Sequence, residues 1–210
     1  MSEPGDRLLA ELLARDDVRA LTDRLHEHDP ATYRHSLRVA RFALVLARGD
    51  GFDEAQVRQT VVAAMLHDLG KLAVERDLLE KPGPLDEGER DKMRHHAAAA
   101  VPELKSLDAF PDAHRIAPLH HEMQPGGSYP RTGAERREAP REGERRRPIE
   151  PWVERAGRIL ALADRYDALI SRRSYKAPWP DPDVRATLRE EMPEVADLLD
   201  HLTPPGRPPR

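Results

Sequence analysis

The chain has no cysteine among its 210 residues, so neither a disulfide nor a thiolate metal site is available to it. Histidine and carboxylate are the strong ligands it can offer, which points any bound metal toward hard or borderline divalent ions. Aromatic residues make up only 4%, and no apolar run approaches the roughly 20 residues a bilayer span needs. The polar opening MSEPGDR lacks the apolar core of a signal peptide, so a soluble, cytoplasmic protein with no membrane partner is expected. An excess of positive charge is missing too. The formal net charge is −4, which gives no global electrostatic case for a nucleic-acid polymer, and any affinity for phosphate must be local. No GxSxG nucleophile elbow and no phosphate-cradling GxxxxGK[ST] loop occurs.

What is present favours helices. Charged residues reach 34%, and Ala, Leu and Arg recur throughout, so the expected fold class is all-α, a compact helical bundle. Apolar residues fall at helical spacing through Asp6 to His28, read as two short amphipathic helices, and again from Ala31 to Arg48, where Gly49-Asp50-Gly51 stops the run. A central helix leads from Asp53 into VVAAMLHDLGK and is apolar on nearly all sides. Further helices are expected over Asp86 to Ala100, Asp112 to His121, Trp152 to Ser171 and Val184 to Leu202. Between Gln124 and Pro148 there is no Val, Ile, Leu, Met, Phe or Trp, so this stretch can bury little and reads as a long flexible loop. The expected organisation is a short helical segment over 1–29, a catalytic domain over 30–202 with its loop at 124–150, and a disordered tail over 203–210.

The chemistry is carried by histidines and aspartates set on apolar faces or at helix ends. His35 lies on the face with Val39, Phe42 and Leu46; alone, such a residue is more often a hydrogen-bonded core histidine than a ligand. His67-Asp68 places two ionisable groups at the end of an otherwise apolar helix, where burial is costly without compensation. A divalent cation would compensate both, and the carboxylate can bridge two metals; a buried His-Asp hydrogen bond is the competing explanation. His120 and His121 are adjacent imidazoles that would repel if both were charged, unless they are ordinary surface histidines at a solvated helix end. Asp164 lies within the apolar face of ILALADRYDAL, as a ligand or as the partner of Arg165 or Arg158. Together these residues, with His96, suggest helices packed around a site for polyvalent cations.

Read in order, His35, HDLGK at 67–71, KPG at 81–83, His96, HHE at 120–122, SYP at 128–130 and ADRYDAL at 163–169 resemble the HD-GYP family. Members are all-helical phosphodiesterases that open cyclic di-GMP with two or three iron or manganese ions. The resemblance implies that activity, with a water acidified by the metals attacking phosphorus to give the linear dinucleotide or GMP. It also implies His35, His67, Asp68 and Asp164 as ligands of one metal, and His96, His120, His121 and the bridging Asp68 as ligands of the other. His95 falls outside the pattern. Lys71 corresponds to the family's lysine after the dyad, placed to orient the attacking water or neutralise a phosphate oxygen. Tyr129 corresponds to the signature tyrosine, and SRRSYK resembles the family's S-x-R-P-Y-K, which implies Arg173 and Lys176 as contacts to the ligand's phosphate or guanine.

The sequence departs from the family at two places. The signature D-G-x-G-Y-P appears as PGGSYP, with Ser128 where the family has glycine. Ala31 stands where some relatives carry a glutamate that supports a third metal, so two divalent ions, iron or manganese, are expected. The loop after it is rich in Arg and Glu, seven and four respectively over residues 131–147. Two alternatives stay open: a hydrolase of another nucleotide or phosphomonoester, and a catalytically weak sensor that binds the cyclic dinucleotide. The segment 1–29 is too short for a receiver or sensory domain, so regulatory input is expected from elsewhere or to be absent, with a homodimer or a separate regulatory protein as the candidate partners.

Overall fold

The computed structural model describes residues 4–123, 149–171 and 178–203, and among these every regular element is helical. Two amphipathic helices open the chain, α1 (Pro4–Leu13) and α2 (Asp16–His28). Their Leu8, Leu9, Leu12, Val18, Leu21 and Leu25 enter the same core as the helices that follow. Helix α3 (Pro30–Gly49) begins where Asp29 accepts from the backbone N–H groups of Ala31 and Thr32, with Pro30 in the first turn, where its missing N–H costs nothing. It ends before Gly51, whose φ of 79° suits glycine.

Helix α4 (Glu54–Leu66) starts with a capping box between Asp53 and Gln56. From Val61 to Leu66 every residue is buried, because α4 is wrapped by its neighbours. The helix gives out at His67 and Asp68, and a 3-10 turn follows over Leu69–Ala73. The dyad therefore lies at the end of the most buried helix, as its sequence predicts. A single turn, α5 (Arg76–Leu79), leads on to the KPG segment, where Gly83 has a φ of 116°.

The predicted helix over Asp86 to Ala100 is two helices, α6 (Glu87–Arg94) and α7 (His96–Leu104), which meet at His95. They have different neighbours to satisfy: α6 is polar and starts with its own Asp86–Glu89 capping box, while α7 buries His96, Ala100 and Leu104. The predicted helix over Asp112 to His121 is likewise two single turns, α8 (Ala113–Ile116) and α9 (Leu119–Glu122). Pro118 between them has no N–H to continue the ladder.

Helix α10 (Pro151–Ile170) packs along α3, with Phe42 edge-on to Tyr166 at a centroid distance of 5.0 Å. The last predicted helix is α11 (Asp181–Glu191) followed by a 3-10 turn over Ala196–His201. Met192 precedes Pro193 and leaves the helical region, at φ −135° and ψ 56°. The loop residues 124–148, the tail beyond residue 203, and with them Tyr129, Arg173 and Lys176, lie outside the described residues.

Candidate metal centre

Five helical segments bring His35 (α3), His67 and Asp68 (end of α4), His96 (start of α7), His120 and His121 (α9) and Asp164 (α10) to one place. The ligand-capable atoms fall into two groups. One comprises His35, His67 and Asp68, the other His96, His120 and His121, with one donor atom from each residue within 4.8 Å of the others in its group. Asp164 stands beside the first, its Oδ1 3.0 Å from His35 Nε2. His95, adjacent to His96 in sequence, is exposed.

Asp68 lies between the groups. Its Oδ1 is 3.1 Å from His96 Nε2, whereas its Oδ2 is 3.4 Å from His67 Nε2 and 3.9 Å from His35 Nε2. Each oxygen thus faces a different set of imidazoles. Lys71 Nζ donates to Oδ2 at 2.7 Å. Burial works against the Asp68 charge, yet Lys71, His67 and His96 hold its pKa well below the ordinary value.

The imidazoles are held so that a specific nitrogen faces inward. His67, His96 and His120 each set Nδ1 against a backbone carbonyl three residues earlier, those of Ala64, Met93 and Ala117, at 2.8, 2.5 and 2.5 Å. A carbonyl only accepts, so Nδ1 carries the hydrogen, and in the neutral ring Nε2 is left with its lone pair. His96 Nε2 and His121 Nε2 face each other at 3.0 Å. Burial lowers the pKa of His67, pushes that of His120 well below its usual value and brings His121 down to about 3. Inward-facing nitrogens beside a two-faced carboxylate make a donor set that suits divalent cations.

Two of the alternatives open from sequence, an Arg partner for Asp164 and a solvated His120, do not describe this geometry. Arg165 pairs with Glu191, and Arg158 with Glu154 and Glu194, so neither is the partner of Asp164. His67 spends Nδ1 on a backbone carbonyl, and His120 is 1% exposed. Sequence reasoning missed Asp167 and Arg38. Asp167, 1% exposed, receives His35 Nδ1 at 2.7 Å and the Arg38 guanidinium at 2.7 and 2.9 Å. The signal available was a second aspartate three residues after Asp164, on the same helix face.

A family model described as HD domain matches residues 32–169. A 3'3'-cGAMP-specific phosphodiesterase 3 from Vibrio cholerae is 34% identical over 170 residues, covering 80% of this chain and 33% of the relative. A cyclic di-GMP phosphodiesterase from Thermotoga maritima is 32% identical over 192 residues, covering 90% and 46% respectively. The chain therefore spans between a third and a half of the length of these relatives. Among solved structures, the HD domain of the Listeria monocytogenes phosphodiesterase PgpH superposes with a TM-score of 0.56 at 18% identity, covering 85% of this chain and 94% of that one, a likeness of fold. With the ordered motifs and their convergence on one site, these matches show that the chain belongs to the HD-GYP family of HD-domain proteins.

Proposed function

We propose that this chain is a metal-dependent phosphodiesterase that hydrolyses a 3'3'-cyclic dinucleotide, cyclic di-GMP foremost, to the linear dinucleotide or GMP. The observation that carries the reading is the position of Asp68, with one oxygen toward His96 and the other toward His67 and His35. In this reading His35, His67, Asp68 and Asp164 hold one iron or manganese ion, and Asp68, His96, His120 and His121 hold the second. Two such ions supply an acidified water and polarise phosphoryl oxygens, so no protein nucleophile is required.

The chain's own groups set up the rest. Asp68 would contribute an oxygen to each position, Lys71 balances its charge and would stand within reach of a phosphate oxygen, and His67, His96 and His120 would offer Nε2 while Nδ1 keeps its hydrogen on a backbone carbonyl. Tyr129, Arg173 and Lys176 are the proposed contacts to the dinucleotide. Relatives named as cyclic di-GMP and as 3'3'-cGAMP phosphodiesterases support the substrate class. The relative named as 3'3'-cGAMP-specific, 34% identical, makes cyclic GMP-AMP a specific second reading within that class.

The test is to purify the chain without chelators, measure iron and manganese, and incubate it with cyclic di-GMP, 3'3'-cGAMP and generic phosphomonoesters. Cleavage of a cyclic dinucleotide by protein with two metals per chain is the expected result. Turnover of phosphomonoesters alone, or tight binding of cyclic di-GMP without cleavage by metal-loaded protein, refutes the proposal.

A further inference from the structure

Among the four histidines described above with Nδ1 in a hydrogen bond, His35 stands apart. His67, His96 and His120 donate from Nδ1 to a backbone carbonyl three residues earlier, a partner that no side-chain substitution can remove. His35 instead uses a carboxylate from α10, 132 positions away in the chain. That carboxylate is itself tightly constrained. Asp167 Oδ2 accepts from His35 Nδ1 at 2.7 Å and from Arg38 Nη2 at 2.9 Å, while Oδ1 accepts from Arg38 Nε at 2.7 Å and from Ser171 Oγ at 3.0 Å.

Asp164 and Asp167 are three residues apart, so from sequence either could reach a cation. The geometry separates their roles: Asp164 Oδ1 lies against Nε2 of His35, and Asp167 Oδ2 against Nδ1 of the same ring. With both oxygens engaged by the planar Arg38 fork, Asp167 is committed to the outer side of the imidazole. We propose that Asp167, clamped by Arg38, is a positioning residue that fixes the tautomer and aim of His35 and so sets the affinity of one of the two metal positions, an inference that rests on the two-metal reading above.

The physical reason is that an ionised carboxylate only accepts. It holds the hydrogen on Nδ1, leaves the Nε2 lone pair for the cation, and makes the ring a stronger donor than a carbonyl partner would. The other position depends on His96, His120 and His121, of which the first two are oriented by their own backbone. The two positions should therefore respond differently when Asp167 is changed.

The experiment strips the full chain with a chelator and titrates it with manganese(II) by calorimetry, with elemental analysis of the dialysed protein and circular dichroism to verify folding. In Asp167→Asn, whose amide can offer an N–H to Nδ1 and reverse the tautomer, one manganese equivalent should weaken by about 10- to 100-fold while the other keeps its affinity. Arg38→Gln should weaken the same equivalent less. If Asp167 acts through His35, the double variant His35→Ala/Asp167→Asn should bind manganese no more weakly than His35→Ala alone. Two equivalents at unchanged affinity in folded Asp167→Asn, or additive losses in the double variant, would overturn the inference. Wild-type protein that binds two manganese ions without cleaving any cyclic dinucleotide would instead remove the proposed substrate and leave the role of Asp167 standing.

Discussion

A Cβ placed on Gly70 would lie 1.7 Å from the carbonyl oxygen of His96. The 3-10 turn after the His67-Asp68 dyad and the first turn of α7 are thus in backbone contact, and this contact brings His96 Nε2 to 3.1 Å from Asp68 Oδ1. Backbone cannot swing aside as a side chain can. Gly70→Ala must push α7 away, at a cost of about 1–3 kcal/mol for overpacking, and should disorder the His96 side of the site. Gly88→Ala, on exposed α6 with its nearest neighbour 3.5 Å away, is the control and should be neutral or slightly stabilising. Thermal denaturation and metal content of both variants test this; a Gly70→Ala protein with wild-type melting temperature and two metals would refute the contact's importance.

The pH dependence of the metal-free protein has two arms of opposite origin. Burial disfavours a charged His35, but hydrogen bonds to Asp164 and Asp167 outweigh it and raise its pKa from 6.5 to about 9. A raised value means that the stabilisation is complete below pH 6.5 and is lost as pH climbs toward 9, on the order of 3 kcal/mol in all. His67, His120 and His121 have lowered values, so below pH 6.5 the unfolded chain takes up protons that these folded residues refuse, and stability falls on that side too. Chelator-treated protein should therefore be most stable near pH 6.5. A melting temperature that rises steadily from pH 6 to 9 would contradict these assignments.

Much of this was legible in the sequence, because the residues that matter conflict with their surroundings. His67 and Asp68 at the end of the all-apolar VVAAML run announce a buried charge that needs compensation, and the helix placing them is predictable from its pattern alone. Asp167 was not legible in the same way. Its partner Arg38 is 129 positions distant, so its role exists only once α3 and α10 are packed. The break at His95 escaped for a related reason: helix periodicity runs through it, and only the different packing demands of α6 and α7 divide them, whereas the break at Pro118 is written in the proline itself.

Replacing Asp68 tests the bridging arrangement directly. Asp68→Ala removes both oxygens at the place where two histidine groups meet, and should abolish retention of both metals together with turnover. Asp68→Asn keeps the shape but halves the acceptor capacity and removes the charge, so it should retain at most one ion, on the side its carbonyl oxygen faces. Elemental analysis after dialysis distinguishes the outcomes, and two retained metals in either variant would remove Asp68 from the bridging position.

Lys71 should separate metal binding from chemistry. Its Nζ donates to Asp68 Oδ2 at 2.7 Å and the side chain is 20% exposed, so it stands at the mouth of the site. In the metal-free chain its charge is the strongest of those that oppose burial in keeping Asp68 ionised. In the proposed reading the bound divalent ions would take over that duty, and the ammonium would be left to meet the charge that develops on a phosphoryl oxygen. Lys71→Met should then retain both metals while turnover drops by about 10²- to 10³-fold, the scale of removing one preorganised donor to a developing anion. Its KM should change far less than its kcat. Loss of metals in Lys71→Met would assign the lysine to supporting Asp68, and unchanged kcat in metal-loaded protein would exclude it from the reaction.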